Sequence, residues 1–204
     1  MSSLIMRSAM VLLAGVAQTT VAMAATQSLP KVVMQTSLGK IVVQVDDQAA
    51  PKTGAQFLKL VTKGSYNGGL FYRSTDSTKG AKTHLIQGGS SPSAAIAPTI
   101  PLETTKETGL SNTRGTIAMA RTNRVNSARA QFFINTGKNT VLDDGGTYGK
   151  TGGYAVFGRV LRGMRIVEQI EKQPVSGQTL ERPVSILSAT LVTPKSKVAT
   201  AKAK

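Results

Sequence analysis

Apolar stretches in this chain are short and are broken by glycine-rich or polar loops, a pattern that rules out long helices and favours many short strands. Lys31 to Thr36 and Lys40 to Val45 are rich in valine and isoleucine and flank Ser37-Leu38-Gly39, which reads as a β-hairpin. Further apolar runs follow at Leu70-Phe71-Tyr72, Leu85-Ile86, Thr116 to Met119, Gln131 to Ile134, Tyr154 to Val160 and Val184 to Val192. Only two segments have helical spacing. One opens at Ala50-Pro51, carries Phe57, Leu58 and Val61 on one face and stops at Gly64. The other is marked by Met164, Val167 and Ile170. Many short strands with two helices predict a closed β-barrel or a sandwich capped by helices. No internal repeat or composition break divides residues 28–193, so one domain is expected, acting as a monomer.

The ends differ from this body. Arg7 is the only charge before Lys31, the stretch from Ala9 to Ala17 is apolar, and Ala22-Met23-Ala24 forms a small-x-small pattern. Residues 1–24 therefore read as a cleaved signal peptide, with 25–193 as the mature domain in the periplasm or outside the cell. Gln18, Thr19 and Thr20 leave the apolar run too short and polar for a membrane span. Residues 194–204 alternate lysine with small residues and read as a basic disordered tail.

Composition excludes several chemistries. There is no cysteine, so no disulfide framework and no thiolate metal site can form. His84 is the single histidine, which removes multi-histidine metal sites. With no nucleophile-elbow motif either, a hydrolase is disfavoured. The net charge is +15, and setting aside Arg7 and the four terminal lysines still leaves a basic body. Such a charge favours anionic partners. No nucleic-acid-reading motif accompanies it, and four tyrosines and five phenylalanines offer little for base stacking, so specific nucleic-acid binding is not expected.

Four ordered blocks narrow the reading. They are Phe71-Tyr72-Arg73 with Leu85-Ile86-Gln87-Gly88-Gly89; Asn112-Thr113-Arg114-Gly115-Thr116-Ile117-Ala118-Met119-Ala120-Arg121; Ala130-Gln131-Phe132-Phe133-Ile134-Asn135; and Leu142-Asp143 with Tyr154-Ala155-Val156-Phe157-Gly158-Arg159-Val160. Their order and spacing resemble the cyclophilin family of peptidyl-prolyl cis-trans isomerases, in particular its bacterial periplasmic members, from about Lys31 to Val192. The resemblance implies a mainly β fold, a closed eight-stranded antiparallel barrel with a helix capping each end. It also implies a shallow proline groove on the outer face, no metal or organic cofactor, and proline-containing unfolded or flexible polypeptides as partners.

The residue types suit that chemistry. The bond before proline isomerises slowly because its partial double bond imposes a barrier of about 18–20 kcal/mol. A catalyst needs to bind the twisted amide better than either planar isomer. Twisting makes the nitrogen pyramidal, and a fixed donor aimed at it stabilises only that state. By resemblance Arg73 is this donor. Leu85, Phe133 and Leu142 would seat the proline ring, with His84 and Tyr154 at its edges. Gln131 would hydrogen-bond the substrate backbone, Gln87 would orient Arg73, and the main chain at Ala120 and Arg121 would hold the preceding residue extended. Without the family pattern each would be read as an ordinary surface or core residue. A proline-binding chaperone module without catalysis is the alternative.

Three departures from the family pattern matter. His84 stands where phenylalanine is usual, which would weaken proline burial by about 1 kcal/mol and add pH sensitivity, unless the ring simply stacks on the substrate. Residues Ser74 to Thr83 replace a shorter turn and bring in Lys79, Gly80 and Lys82, so this insert should be mobile and basic. Val141 stands where eukaryotic members often carry the tryptophan that cyclosporin uses, so weak cyclosporin binding is expected. Arg121, Arg124 and Arg129, together with Arg73, Lys79 and Lys82, would make the groove electropositive and favour acidic residues near the target proline.

Overall fold

The computed structural model describes residues 28–75 and 80–192. The expected signal peptide, the basic tail and Lys79 lie outside them. The strands are β1 (Lys31–Thr36), β2 (Gly39–Val45), β3 (Gly69–Thr75), β4 (Leu85–Gly89), β5 (Thr116–Met119), β6 (Phe132–Asn135), β7 (Val156–Arg162), β8 (Val175–Ser176) and β9 (Thr179–Val192). The helices are α1 (Pro51–Thr62), a single turn α2 (Thr105–Thr108) and α3 (Met164–Glu171).

All pairings are antiparallel, in the order β1-β2-β7-β5-β6-β4-β3-β9, and β9 returns to β1 to close an eight-stranded barrel. Closure removes the unpaired edges that an open sheet of this size would expose. Alternation builds the interior: Val32 and Met34 in β1, and Ile41, Val43 and Val45 in β2, are fully buried while their neighbours face outward. Phe57, Tyr66, Phe71, Phe132 and Phe157 fill the centre, with ring centroids 5.0–5.9 Å apart along the contacts of Phe57 and Phe132. The interior is thus solid, and any ligand must sit outside it.

The two longer helices cap opposite ends. α1 follows β2 and packs against β9 and β7, placing Phe57 in the barrel mouth. Ala50, at its N-cap, has no side chain to bond the first turn. The buried Glu103 does so from the loop after β4: its carboxylate accepts from the backbone N–H of Lys52 at 2.9 Å and of Thr53 at 2.8 Å, and from the Thr53 hydroxyl. α3 follows β7 at the other end and packs on β2, β3 and β4. Gly163 opens it at φ 93°, where a Cβ would lie 2.3 Å from the Lys40 carbonyl, so only glycine allows this entry.

Beyond the expected elements are α2, β8, a 3₁₀ turn at Thr140–Leu142 and a β9 that begins five residues before Val184. The supposed insert is also shorter than the sequence suggests, because Ser74 and Thr75 continue β3 and pair with Ile86 and Leu85.

Candidate active site

A groove of about 500 Å³ runs along the outer face of β3, β4 and β6. Its floor belongs to a second apolar cluster, separate from the barrel core, made of Leu85, Ala118, Phe133, Leu142 and Val156 with Ala120, Val141 and Tyr154 packed at its border. Leu85, Phe133 and Leu142 line the groove yet are only 4%, 3% and 6% exposed, so they form a shallow, fixed apolar seat. Tyr154 stands edge-on to Phe133 with centroids 5.5 Å apart.

The seat is held from below by a buried amide network. Asn112, Asn135 and Asn139 are fully buried. Asn135 Nδ2 donates to Asn112 Oδ1 (3.2 Å), and Asn139 Nδ2 donates to Asn135 Oδ1 (2.7 Å) and to the His84 carbonyl (2.6 Å). The His84 N–H returns a bond to Asn139 Oδ1 at 2.9 Å. Asp143 accepts from the backbone and side chain of Asn112, both at 2.8 Å, and fixes the turn that delivers Leu142. The motif residues around the groove are therefore largely its scaffold.

Arg73 rises beside the seat because β3 is irregular. Phe71 pairs with Gly88 and Arg73 with Gln87, so Tyr72 is an extra residue opposite no partner. Such a bulge breaks the inward–outward alternation. Phe71 stays in the core while Tyr72 and Arg73 are both half-buried on the outer face. Arg73 Nη1 donates to Gln87 Oε1 (2.9 Å), Gln87 Nε2 donates to the Tyr72 hydroxyl (2.8 Å), and that hydroxyl donates to Gln131 Oε1 (3.3 Å). Burial raises the Tyr72 hydroxyl above the ordinary tyrosine range, and the Gln87 hydrogen bond and the Arg73 charge only partly offset it. It stays protonated and keeps its donor role. On its other edge, Arg73 Nε and Nη2 donate to Gln178 Oε1 at 3.0 and 2.5 Å.

Arg121 is fixed in a different way. Its guanidinium donates to the carbonyls of Gly153 (2.8 Å), Thr122 (3.0 Å) and Thr151 (3.2 Å) and lies 5.0 Å over the Tyr154 ring. The Ala120 N–H donates to the Gln131 carbonyl at 2.8 Å, as a last rung after β5 and β6. Arg73, Lys82 and Arg121 all line the groove, and among the described residues no carboxylate does.

Of the sequence-based candidates, Arg73, Leu85, Gln87, Ala120, Arg121, Phe133, Leu142 and Tyr154 thus meet in one groove. Two do not. His84 stands just before β4 and lies outside the groove's lining. There its ring packs on Gly137, and Nδ1 lies 4.0 Å from the Glu171 carboxylate. Gln131 faces an adjoining depression shared with Tyr72 and Arg129, and reaches Arg73 only through Tyr72 and Gln87. Tyr72 and Gln178 were missed. Tyr72 was hidden by the bulge, and Gln178 sits in a short turn with no motif.

A second depression of similar size, about 520 Å³, crosses β5 and β7. Its arginines are already engaged, Arg114 with Glu168 and Arg159 with Gln44 at 3.2 Å. Among the described residues, no three acidic or histidine side chains come together to hold a metal, and no helix is long and apolar enough to cross a membrane.

Comparison with known proteins fits the groove and the barrel. Residues 31–191 match the family described as cyclophilin type peptidyl-prolyl cis-trans isomerase/CLD. The chain is 37% identical over 178 residues to peptidyl-prolyl cis-trans isomerase A of Dickeya dadantii, covering 84% of this chain and 88% of that one. It is 39% identical over 147 residues to isomerase B of Escherichia coli, covering 69% and 83%. A cyclophilin-type isomerase of Cryptosporidium parvum superposes with a TM-score of 0.67 over 81% of this chain and 99% of its own, at 21% identity, and supports the fold. A second crystal structure of that parasite protein, obtained in the presence of the dipeptide Ala-Pro, superposes with a TM-score of 0.63. From a barrel whose outer groove sets an arginine over an apolar seat, and from a family match spanning the whole barrel, it follows that this chain belongs to the cyclophilin-type peptidyl-prolyl cis-trans isomerases and is an enzyme of that class.

Proposed function

We propose that the enzyme accelerates X-Pro isomerisation in exported polypeptides by donating from Arg73 to the amide nitrogen as the bond twists. The observation that carries this reading is a permanently charged donor, bonded to two neutral amides, beside a nearly buried apolar seat. Proline stacks on Leu85, Phe133 and Leu142, and that contact serves both planar isomers and the twisted state alike. It lowers KM without by itself raising kcat. The Arg73 donor engages only when the nitrogen becomes pyramidal, so it acts on kcat. No proton is transferred and no covalent intermediate forms. Among the groove's own residues, Arg121 and Lys82 favour acidic residues in the substrate near proline.

An initial-rate assay on a chromogenic X-Pro peptide tests the mechanism. Arg73→Ala lowers kcat/KM about 100-fold or more, the range for loss of one preorganised donor. Arg73→Lys also falls, because an ammonium lacks the planar fork held by the two glutamines. Full activity in either variant sinks the arginine reading.

We place the enzyme in the periplasm or outside the cell, cut after Ala24, where it assists the folding of exported chains as a monomer. Cell fractionation with N-terminal sequencing checks this. A mature protein beginning at Ala25 in the periplasm or medium agrees with it, and a cytosolic protein retaining Met1 contradicts it. Cyclosporin inhibition is weak, since Val141 offers no indole at the groove's border. A submicromolar inhibition constant would sink that expectation.

A further inference from the structure

We infer that Gln178 is a positioning residue for Arg73, an inference that rests on Arg73 being the catalytic donor. A guanidinium has five N–H donors. Three are engaged here: Nη1 to Gln87, and Nε and Nη2 to Gln178. That leaves one hydrogen on each terminal nitrogen free of these two glutamines. Gln87 alone would hold one corner of the group and leave the plane able to swing. Gln178 grips the opposite edge through two nitrogens, so the two amides together fix both the position and the plane of the fork. Both anchors are neutral. They orient the cation without cancelling the charge that the twisted amide feels, as a carboxylate at either place would.

Gln178 is fit for this because it is anchored through its backbone. It sits in the two-residue turn between β8 and β9, where Ser176 pairs with Thr179. Gly177 takes φ 63° to make the turn, a conformation glycine adopts without strain. The Gln178 carbonyl accepts from the N–H of Ser74, the residue next to Arg73, at 2.9 Å, and Arg73 itself pairs with Thr179. The Leu180 end of the hairpin is buried, and Glu181 N–H bonds the Pro174 carbonyl at 3.0 Å. An exposed side chain is thus carried on a turn that is locked to the same strand as its partner.

The test compares wild type, Gln178→Leu, Arg73→Ala and the double variant. It reads kcat and KM for an Ala-Pro peptide, together with the ¹⁵N–¹H resonance of the Arg73 Nε in the uncomplexed protein. The clamp predicts that Gln178→Leu lowers kcat about tenfold with KM held within about twofold, since misplaced donors cost rate rather than ground-state binding. It predicts no further loss when Gln178→Leu is added to Arg73→Ala, and faster solvent exchange at the Nε–H once its acceptor is removed. Gln178→Leu with wild-type kcat beside a slow Arg73→Ala overturns the clamp alone. So does an equal loss in both backgrounds, a change confined to KM, or an unchanged Nε–H. Arg73→Ala at the wild-type rate overturns the arginine reading and the clamp with it.

Discussion

Arg73 and Tyr72 both lie on the outer face of β3, Arg73 in the groove and Tyr72 in the depression beside it, because one extra residue breaks the alternation that would otherwise have sent one of them inward. The sequence carries the identities of both but not the bulge, so Arg73 was legible and the role of Tyr72 was not. Leu85 and Gln87 line the groove from one face of β4, while His84, just before that strand, sits against Glu171. Gln178 had no signal beyond a glycine before it. A prediction at this scale concerns the relay. Tyr72→Phe removes the hydroxyl that accepts from Gln87 and donates to Gln131, leaving Gln87 free to rotate away from Arg73. Its kcat should fall several-fold, less than for Arg73→Ala, with thermal stability changed by no more than about 1 kcal/mol. Steady-state kinetics beside a melting curve separates the two effects.

Among elements, the long and strongly patterned ones were readable. β1, β2, α1 and α3 follow from valine alternation, a proline at a helix start and an apolar helical face. The short ones were not: α2, β8 and the 3₁₀ turn span four residues or fewer, too little for any period to show. Pro183 hid the first part of β9, because proline ordinarily ends a strand, yet here Thr179 and Leu180 pair with β8 before it. The cap of α1 was equally hidden, since Glu103 comes from fifty residues away along the chain. Glu103→Ala should destabilise the fold by about 2 kcal/mol, through loss of a charged cap bonded to two backbone donors and a hydroxyl. Urea unfolding checks this, and kcat of the folded fraction should not change, because α1 lies at the barrel end away from Arg73. Asn139→Ala should do the opposite to function: it severs the turn before Leu142 from the start of β4, and so should raise KM as well as lower stability.

For the whole molecule, barrel closure is a long-range fact that no local period reports. It was expected from the resemblance, and the β1–β9 pairing realises it. Solid packing inside forces binding to the outer face, so the basic charge of the domain matters mainly where it lines that face. Glu-flanked Ala-Pro peptides should turn over faster than Lys-flanked ones at low ionic strength, with the gap closing as salt rises. Equal turnover at low salt refutes the preference. Stability should also fall as pH rises past about 10, the ordinary tyrosine range. Burial holds Tyr66 and Tyr72 protonated in the folded state above that pH, while the same groups ionise once unfolded, so unfolding gains from each added unit. The claim on which the rest depends is that Arg73 binds the twisted amide more tightly than either planar isomer. Exchange NMR on an Ala-Pro peptide measures binding and bound-state isomerisation separately, for wild type and Arg73→Ala. The account predicts peptide affinity within a few-fold of wild type and a bound-state rate lower by about 100-fold or more. Affinity lost with the bound-state rate intact would contradict it.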